Sequence, residues 1–357
     1  MWPDRRLLDL FAIEHPIVLA PMAGAMDWEL AAAVSEAGGL GSLPCAMLTP
    51  QSARDQVMKF RARTDKPINL NFFCHRPPAP DNAREASWRD RLKPYYVELG
   101  LDPNAPVAAA ARAPFNDEFC SLVEALKPDV VSFHFGLPTR NLLDRVKAAG
   151  CKVLSSATTA AEARWLEERG VDAIIAQGNE AGGHRGIFLS DDISTQAGTF
   201  ALVPQVADAV KVPVIAAGAV SDARGIAAAL VLGAAGVQVG TAYLHCPESK
   251  ISAPHRKAFS DAQDNSTALT NVMTGRPARG IVNRIMREQG PMAAVPAFPN
   301  AATALAPLRT AAEKQGSGDF SPLWSGQAAA LGRAMPAGEL TRTLAEEAQA
   351  RLKGLAG

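Results

Sequence analysis

A histidine set among glycines is the clearest chemical group in this chain. In Glu180-Ala181-Gly182-Gly183-His184-Arg185-Gly186 the glycines let the backbone lie close over a flat ligand and aim His184 at it. An imidazole titrates near neutral pH, so His184 could take a proton or hydrogen-bond an anion. His134, in Ser132-Phe133-His134-Phe135-Gly136, has a similar setting and is a candidate second donor to the same group. Two more glycine turns, Ala217-Gly218-Ala219-Val220 and Val239-Gly240-Thr241-Ala242, each follow an apolar run. Glycine there lets backbone N–H groups approach phosphate oxygens. Gln177 ends another apolar run, and its neutral amide suits a polyol chain or a ring edge. Asn69 and Asn71 alternate with Ile68, Leu70 and Phe72, so both face one side of an extended segment. Amides buried on such a face need partners, either a bound cofactor or an internal network. His15, His245 and His255 lack comparable surroundings, and His75 borders an irregular stretch.

These groups are spaced by eight apolar runs: Ile17–Met22, Leu40–Pro44, Ile68–Phe73, Val130–Phe135, Lys152–Ala157, Ala173–Gln177, Val212–Ala217 and Gly236–Gly240. Their unbroken apolar character is that of strands buried on both faces of a parallel sheet. Helical stretches separate them, with Asp27, Thr49, Thr159 and Asp222 as caps and Gly38, Gly150, Gly170 and Gly233 as stops. Eight β-α repeats predict an α/β fold, a (β/α)8 TIM barrel, whose chemistry gathers at the C-terminal ends of the strands. There the turns after the seventh and eighth strands commonly hold phosphate. The Pro-rich stretch after His75 marks a helical insertion over about residues 75–127, with Asn104–Pro114 readable as loop or helix start. The barrel is expected over 1–250, and 251–357 as a helical C-terminal extension or lid in which strands cease after Cys246.

The chain has 357 residues, 36 basic and 36 acidic, and 48% hydrophobic. A balanced charge offers no field for nucleic acid or anionic lipid. No run reaches the roughly 20 apolar residues of a membrane span. The N-terminus has no signal-peptide core, so cytoplasmic residence is expected. Five widely spaced cysteines form no CxxC and no metal cluster, so no metal is expected. The chain has neither a GxGxxG on its first β-α unit nor a P-loop, which disfavours dinucleotide or nucleoside triphosphate binding. Prolines and apolar residues after Gln289 would suit a homodimer interface.

Ala20-Pro21-Met22-Ala23-Gly24, Ala181-Gly182-Gly183-His184, Ala216-Ala217-Gly218 and Gln238-Val239-Gly240-Thr241 together resemble the nitronate monooxygenase family, over about residues 12–290. The segment Asp319–Gln327 is similar to its bacterial class I branch. The resemblance implies FMN, with Ala20, Pro21 and Met22 against the flavin ring and Asn69 or Asn71 and Gln177 hydrogen-bonded to it. Gly182, Gly183, Gly218, Gln238, Val239, Gly240 and Thr241 would surround ribityl and phosphate. It implies oxidation of alkyl nitronates, propionate 3-nitronate among them, by one-electron transfer to flavin, with O2 as oxidant and no NAD(P)H. His184 matches the family's active-site histidine. The branch's substrate pocket is rich in tyrosine, whereas here only Tyr95, Tyr96 and Tyr243 exist, with Phe298 and Phe320 as aromatic substitutes. Arg140 and Arg185 could bind a substrate carboxylate, although both read more simply as surface arginines. The competing readings are an FMN-dependent enoyl-acyl-carrier-protein reductase using NADH, and a flavin-binding protein without turnover.

Overall fold

Short apolar runs cannot satisfy their own backbone groups, so they pair in parallel and close on themselves. The computed structural model, which describes residues 2–107 and 112–356, shows this closure. The barrel strands are Ile17–Leu19, Gly41–Pro44, Ile68–Phe73, Val130–His134, Lys152–Ala157, Ala173–Gln177, Val214–Ala217 and Gly236–Val239. All neighbours are parallel, and the first strand pairs with the eighth, Ile17 opposite Val237. A parallel bridge between Val18 and Leu40 joins first to second and completes the ring. The first strand is shorter than its apolar run. Ala20 N still donates to Val239 O at 2.8 Å, but Pro21 has no N–H, and the chain leaves the ladder for the barrel mouth.

Capping residues start the outer helices where the sequence places them. The side chains of Asp27, Thr49, Thr159 and Asp222 each accept a backbone N–H of the first turn. Helix Ala337–Ala356 returns to the barrel and packs on helices Trp28–Glu36 and Ala223–Val231. There Tyr243 Oη lies 2.7 Å from Thr341 Oγ1.

Among its described residues the insertion contains two helices, Asn82–Glu98 and Asp117–Leu126. The second packs beside helices Pro50–Arg63 and Arg140–Ala148 as an ordinary crossover. The first leaves the barrel and packs on helix Ala301–Lys314 of the extension. Trp88, Leu92, Tyr95 and Tyr96 are buried there against Ile285, Val295, Leu305 and Leu308, forming a second core. Trp88 Nε1 donates to Ala301 O at 3.1 Å, and Tyr96 Oη to Ala304 O at 2.6 Å. Of the Asn104–Pro114 stretch, residues 108–111 lie outside the described residues. The apolar residues after Gln289 that would suit a dimer interface are largely spent in this second core.

Strands do not cease after Cys246. Thr267–Thr270 pairs antiparallel with Ala278–Ile281, which in turn pairs with Gly183–His184. The extension is otherwise helical, but this small sheet ties it to the histidine loop. Among the described residues, no helix is long and apolar enough to cross a membrane.

Trp88 is 1% exposed and anchors insertion to extension. Trp88→Ala should cost about 3–5 kcal/mol of stability, read as a lower urea midpoint. An unchanged midpoint would show that the second core contributes nothing to the cooperative unit.

Candidate active site

The C-terminal ends of the strands enclose a cavity of about 440 Å3. Ala20, Pro21, Met22, Asn71, His134, Gln177, Gly182, Gly183, His184, Gly218, Gln238, Gly240 and Thr241 all line it. Two expected residues do not. Asn69 sits two residues deeper in the third strand, fully buried, with Nδ2 donating to Ser42 Oγ at 2.9 Å. Val239 belongs to the apolar core, on the opposite face of its strand from Gln238. Depth in the barrel removes Asn69 from the cavity wall, and alternation removes Val239.

The His184 loop is braced from several sides. Gly183–His184 lies antiparallel to Ala278–Arg279, and Arg185 N donates to Pro277 O at 2.9 Å. Gln177 spends its amide here: Nε2 donates to His184 O at 2.9 Å, and Oε1 accepts from Gly186 N at 2.7 Å. These two bonds clamp the loop, and the amide keeps a second N–H and a second lone pair on the cavity wall. Arg185 is no surface residue. It is fully buried, donating to Gly178 O at 2.6 Å, Gln177 O at 2.7 Å and Gln196 Oε1 at 3.1 Å. Enclosed by these acceptors, it does not line the cavity. Arg140 is an exposed surface residue, paired with Asp144 at 2.9 Å. Gly182 is required by proximity, since a Cβ there would come within 2.5 Å of Gly326 N.

His134 Nε2 faces His184 O at 3.2 Å, and His134 Nδ1 faces Ser156 Oγ at 3.0 Å. A carbonyl can only accept, so Nε2 carries the proton and Nδ1 accepts from the serine. Both His134 nitrogens are engaged by the protein. His184 Nε2 lies 2.9 Å from Thr274 Oγ1, which leaves Nδ1 for a ligand. Aromatic rings surround His184: Phe298 at 5.3 Å, Trp324 at 5.4 Å, Phe135 at 6.0 Å and Phe73 at 6.1 Å between ring centres. Phe298 therefore packs on the His184 ring without lining the cavity, whereas Phe320 packs on Tyr95 in the second core.

The other end of the cavity is built from turns. Gly218 adopts φ +113°, a region that side-chain-bearing residues avoid, and its carbonyl accepts from Thr199 Oγ1 at 3.2 Å. Thr241 Oγ1 accepts from Gly326 N at 2.9 Å, bringing the tail turn onto the turn after the eighth strand. Gln238 Oε1 is buried with no hydrogen-bond partner among the described residues. A buried amide oxygen on a cavity wall, next to two glycine turns, is what a bound donor-rich ligand would satisfy.

A model of the family described as nitronate monooxygenase matches residues 4–347. The chain is 44% identical to a nitronate monooxygenase of Pseudomonas aeruginosa, over 96% of this chain and 98% of the relative. The chain belongs to the nitronate monooxygenase family. It is an oxidoreductase. The solved nitroalkane oxidase of Streptomyces ansochromogenes superposes with a TM-score of 0.89 at 37% identity, covering 99% of this chain and 100% of that one. FabK of Thermotoga maritima superposes less well, with a TM-score of 0.76 at 29% identity over 100% and 99% of the two chains. Neither competing reading is favoured by these matches.

Nitronate monooxygenase chemistry has to work here with neutral imidazoles. Burial pushes His184 well below its usual range, helped by the charge of Arg112 and Arg276. Burial likewise takes His134 down to about 3 and His75 and His255 to about 4. Several wall residues carry no signal in the sequence. Ser156 and Trp324, like Thr274 behind His184, are common residue types in unremarkable contexts. Arg112, Arg309 and His255 reach the wall from the insertion and extension, whose fold the β-α repeat does not dictate.

Each of these histidines binds a proton more readily unfolded than folded. Their contribution to stability is fully present above about pH 6.5 and declines as pH falls through that value. His134 and His184 should each remove up to about 1.4 kcal/mol per pH unit below that point. Melting temperatures at pH 7.5 and 5.0 will show the loss, and His184→Gln should reduce it. A stability flat across this window would contradict the buried neutral state.

Proposed function

We propose that this chain holds FMN at the barrel mouth and oxidises alkyl nitronates with O2, without NAD(P)H. The observation that carries this reading is a neutral, rigidly braced imidazole, His184, facing a cavity whose far end is two glycine turns. Bound FMN supplies the electron acceptor and the reaction with oxygen. The protein's part is binding, orientation and electrostatics.

Gly218–Ser221 and Gly240–Thr241 are suited to the phosphate, as paired turns after the last two barrel strands. Gln238 Oε1 gives the polyol or ring edge an acceptor that otherwise has none. Ala20 closes the ladder, and with Pro21 and Met22 it gives the mouth a wall suited to a planar ring. Asn71 also lines the cavity, with Nδ2 donating to Ser132 Oγ at 2.9 Å.

His184 uses Nδ1 toward substrate while Thr274 holds Nε2. A neutral imidazole can hydrogen-bond a nitronate oxygen or accept the α-proton of a neutral nitroalkane. His134 orients rather than reacts, because both its nitrogens are committed to Ser156 and to the His184 carbonyl. The five cysteines are unpaired, and burial pushes the Cys45 thiol up to about 12, which supports a reducing, cytoplasmic setting and no thiolate chemistry.

Purified protein should be yellow and release FMN on denaturation. It should consume oxygen on addition of propionate 3-nitronate with no NADH present. Rapid anaerobic bleaching by NADH, without nitronate turnover, would instead support the reductase reading. His184→Asn should lower kcat/KM by about 100- to 10,000-fold while the flavin spectrum persists. Colourless His184→Asn protein would make the residue structural. Gly218→Val should abolish FMN binding while circular dichroism stays that of the folded barrel.

A further inference from the structure

Thr274 is the side chain that holds the His184 ring, yet it does not line the cavity. It is 1% exposed and stands behind the imidazole, in the turn between strands Thr267–Thr270 and Ala278–Ile281. That turn is fixed without help from His184. Asn271 clamps Ala293, with Nδ2 donating to Ala293 O and Oδ1 accepting from Ala293 N, both at 2.9 Å. Gly275 N donates to Asn271 O at 2.7 Å. Gly275 itself takes φ +93°, and a Cβ there would lie 2.2 Å from Pro296 O. Arg276 donates to Ile187 O, and its Cζ lies over the Phe135 ring, 4.1 Å from the centre. These contacts together set where the Thr274 hydroxyl stands.

A neutral imidazole has a proton on one nitrogen and a lone pair on the other. Which is which at His184 follows from the threonine. A hydroxyl always carries one proton, and a buried one needs an acceptor for it. Two acceptors lie near Thr274 Oγ1 among the described residues: His184 Nε2 at 2.9 Å and Arg276 O at 3.5 Å. The second is well beyond the roughly 2.5–3.0 Å of an O–H···O bond. The hydroxyl proton therefore goes to Nε2, and the ring proton sits on Nδ1. In the opposite arrangement Nε2–H would donate to the threonine and leave the hydroxyl proton without an acceptor. An orphaned buried donor costs more than one hydrogen bond gains. His134 is the contrast. There a carbonyl takes the Nε2 proton and Ser156 donates to Nδ1. The two imidazoles of this cavity thus carry their protons on opposite nitrogens.

We propose that Thr274 is a positioning residue that fixes His184 as the Nδ1–H tautomer, so that the ring offers the cavity a donor and not a base. This rests on the nitronate reading above and chooses between the two roles open to His184 there. Nδ1–H donates to a nitronate oxygen, and no lone pair is turned toward an α-proton. Thr274 meets no substrate and acts only through the ring.

The test is NMR of FMN-loaded protein carrying 15N-labelled histidine, with His184 assigned by the signals lost in His184→Asn. His184 should show a protonated Nδ1 and an unprotonated Nε2, and His134 the reverse. Thr274→Val keeps the shape and removes the hydroxyl. It should give a mixture of the two His184 tautomers and lower kcat/KM for propionate 3-nitronate by about 3- to 10-fold, the loss of one hydrogen bond. Thr274→Ser, which lacks the methyl but keeps the hydroxyl, should restore both. A role in packing alone would leave the tautomer unmoved and would not be rescued by serine. An unprotonated Nδ1 in wild type would overturn the assignment with no variant and no turnover needed. So would a valine variant whose His184 pattern is unchanged. If wild type shows the expected pattern but oxidises no nitronate, the nitronate reading fails while the tautomer assignment stands.

Discussion

The histidine loop crosses the barrel mouth as a strand. Gly183 and His184 pair antiparallel with Arg279 and Ala278, so a segment about a hundred residues later in the chain fixes where the imidazole sits. Behind that strand, Gln177, His134 and Arg185 hold the loop's carbonyls and amides from the barrel side. A glycine-rich loop has much conformational entropy to lose. Here the loss is covered by hydrogen bonds from both directions, and the His184 side chain is held in place by Thr274. Such preorganisation is what a site built for orientation and electrostatics requires.

The same enclosure sets the charges. Aromatic rings and barrel backbone strip water from His75, His134 and His184, and each stays neutral through the physiological range. Positive charge in the wall comes instead from arginine, which burial cannot readily neutralise.

Much of this was readable from residue order. Strand positions followed from short apolar runs punctuated by Gly and Pro, and caps at Asp27, Thr49, Thr159 and Asp222 are local signals that tertiary context did not override. The glycine turns and His184 converge because any closed barrel brings strand ends together. What escaped depended on distant partners. The hairpin of Thr267–Thr270 and Ala278–Ile281 is short, and its third strand has only two residues, so alternation had no length over which to show. Arg185 and Gln177 look like ligand-facing polar groups in sequence. Their partners are backbone groups of the loop and its base and the Gln196 side chain, visible only once the chain is folded. Asn69 and Asn71 share a face, yet depth in the barrel separates a core amide from a cavity wall.

The central claim is that one cavity joins the two glycine turns to His184 and is shaped for a flavin. Diffraction from crystals grown with FMN tests it most directly. The account predicts phosphate density between the turns after Ala217 and Val239, with the flavin ring near Ala20–Met22 and its accessible face open toward His184. Phosphate bound elsewhere, or a flavin ring turned away from His184, would contradict it.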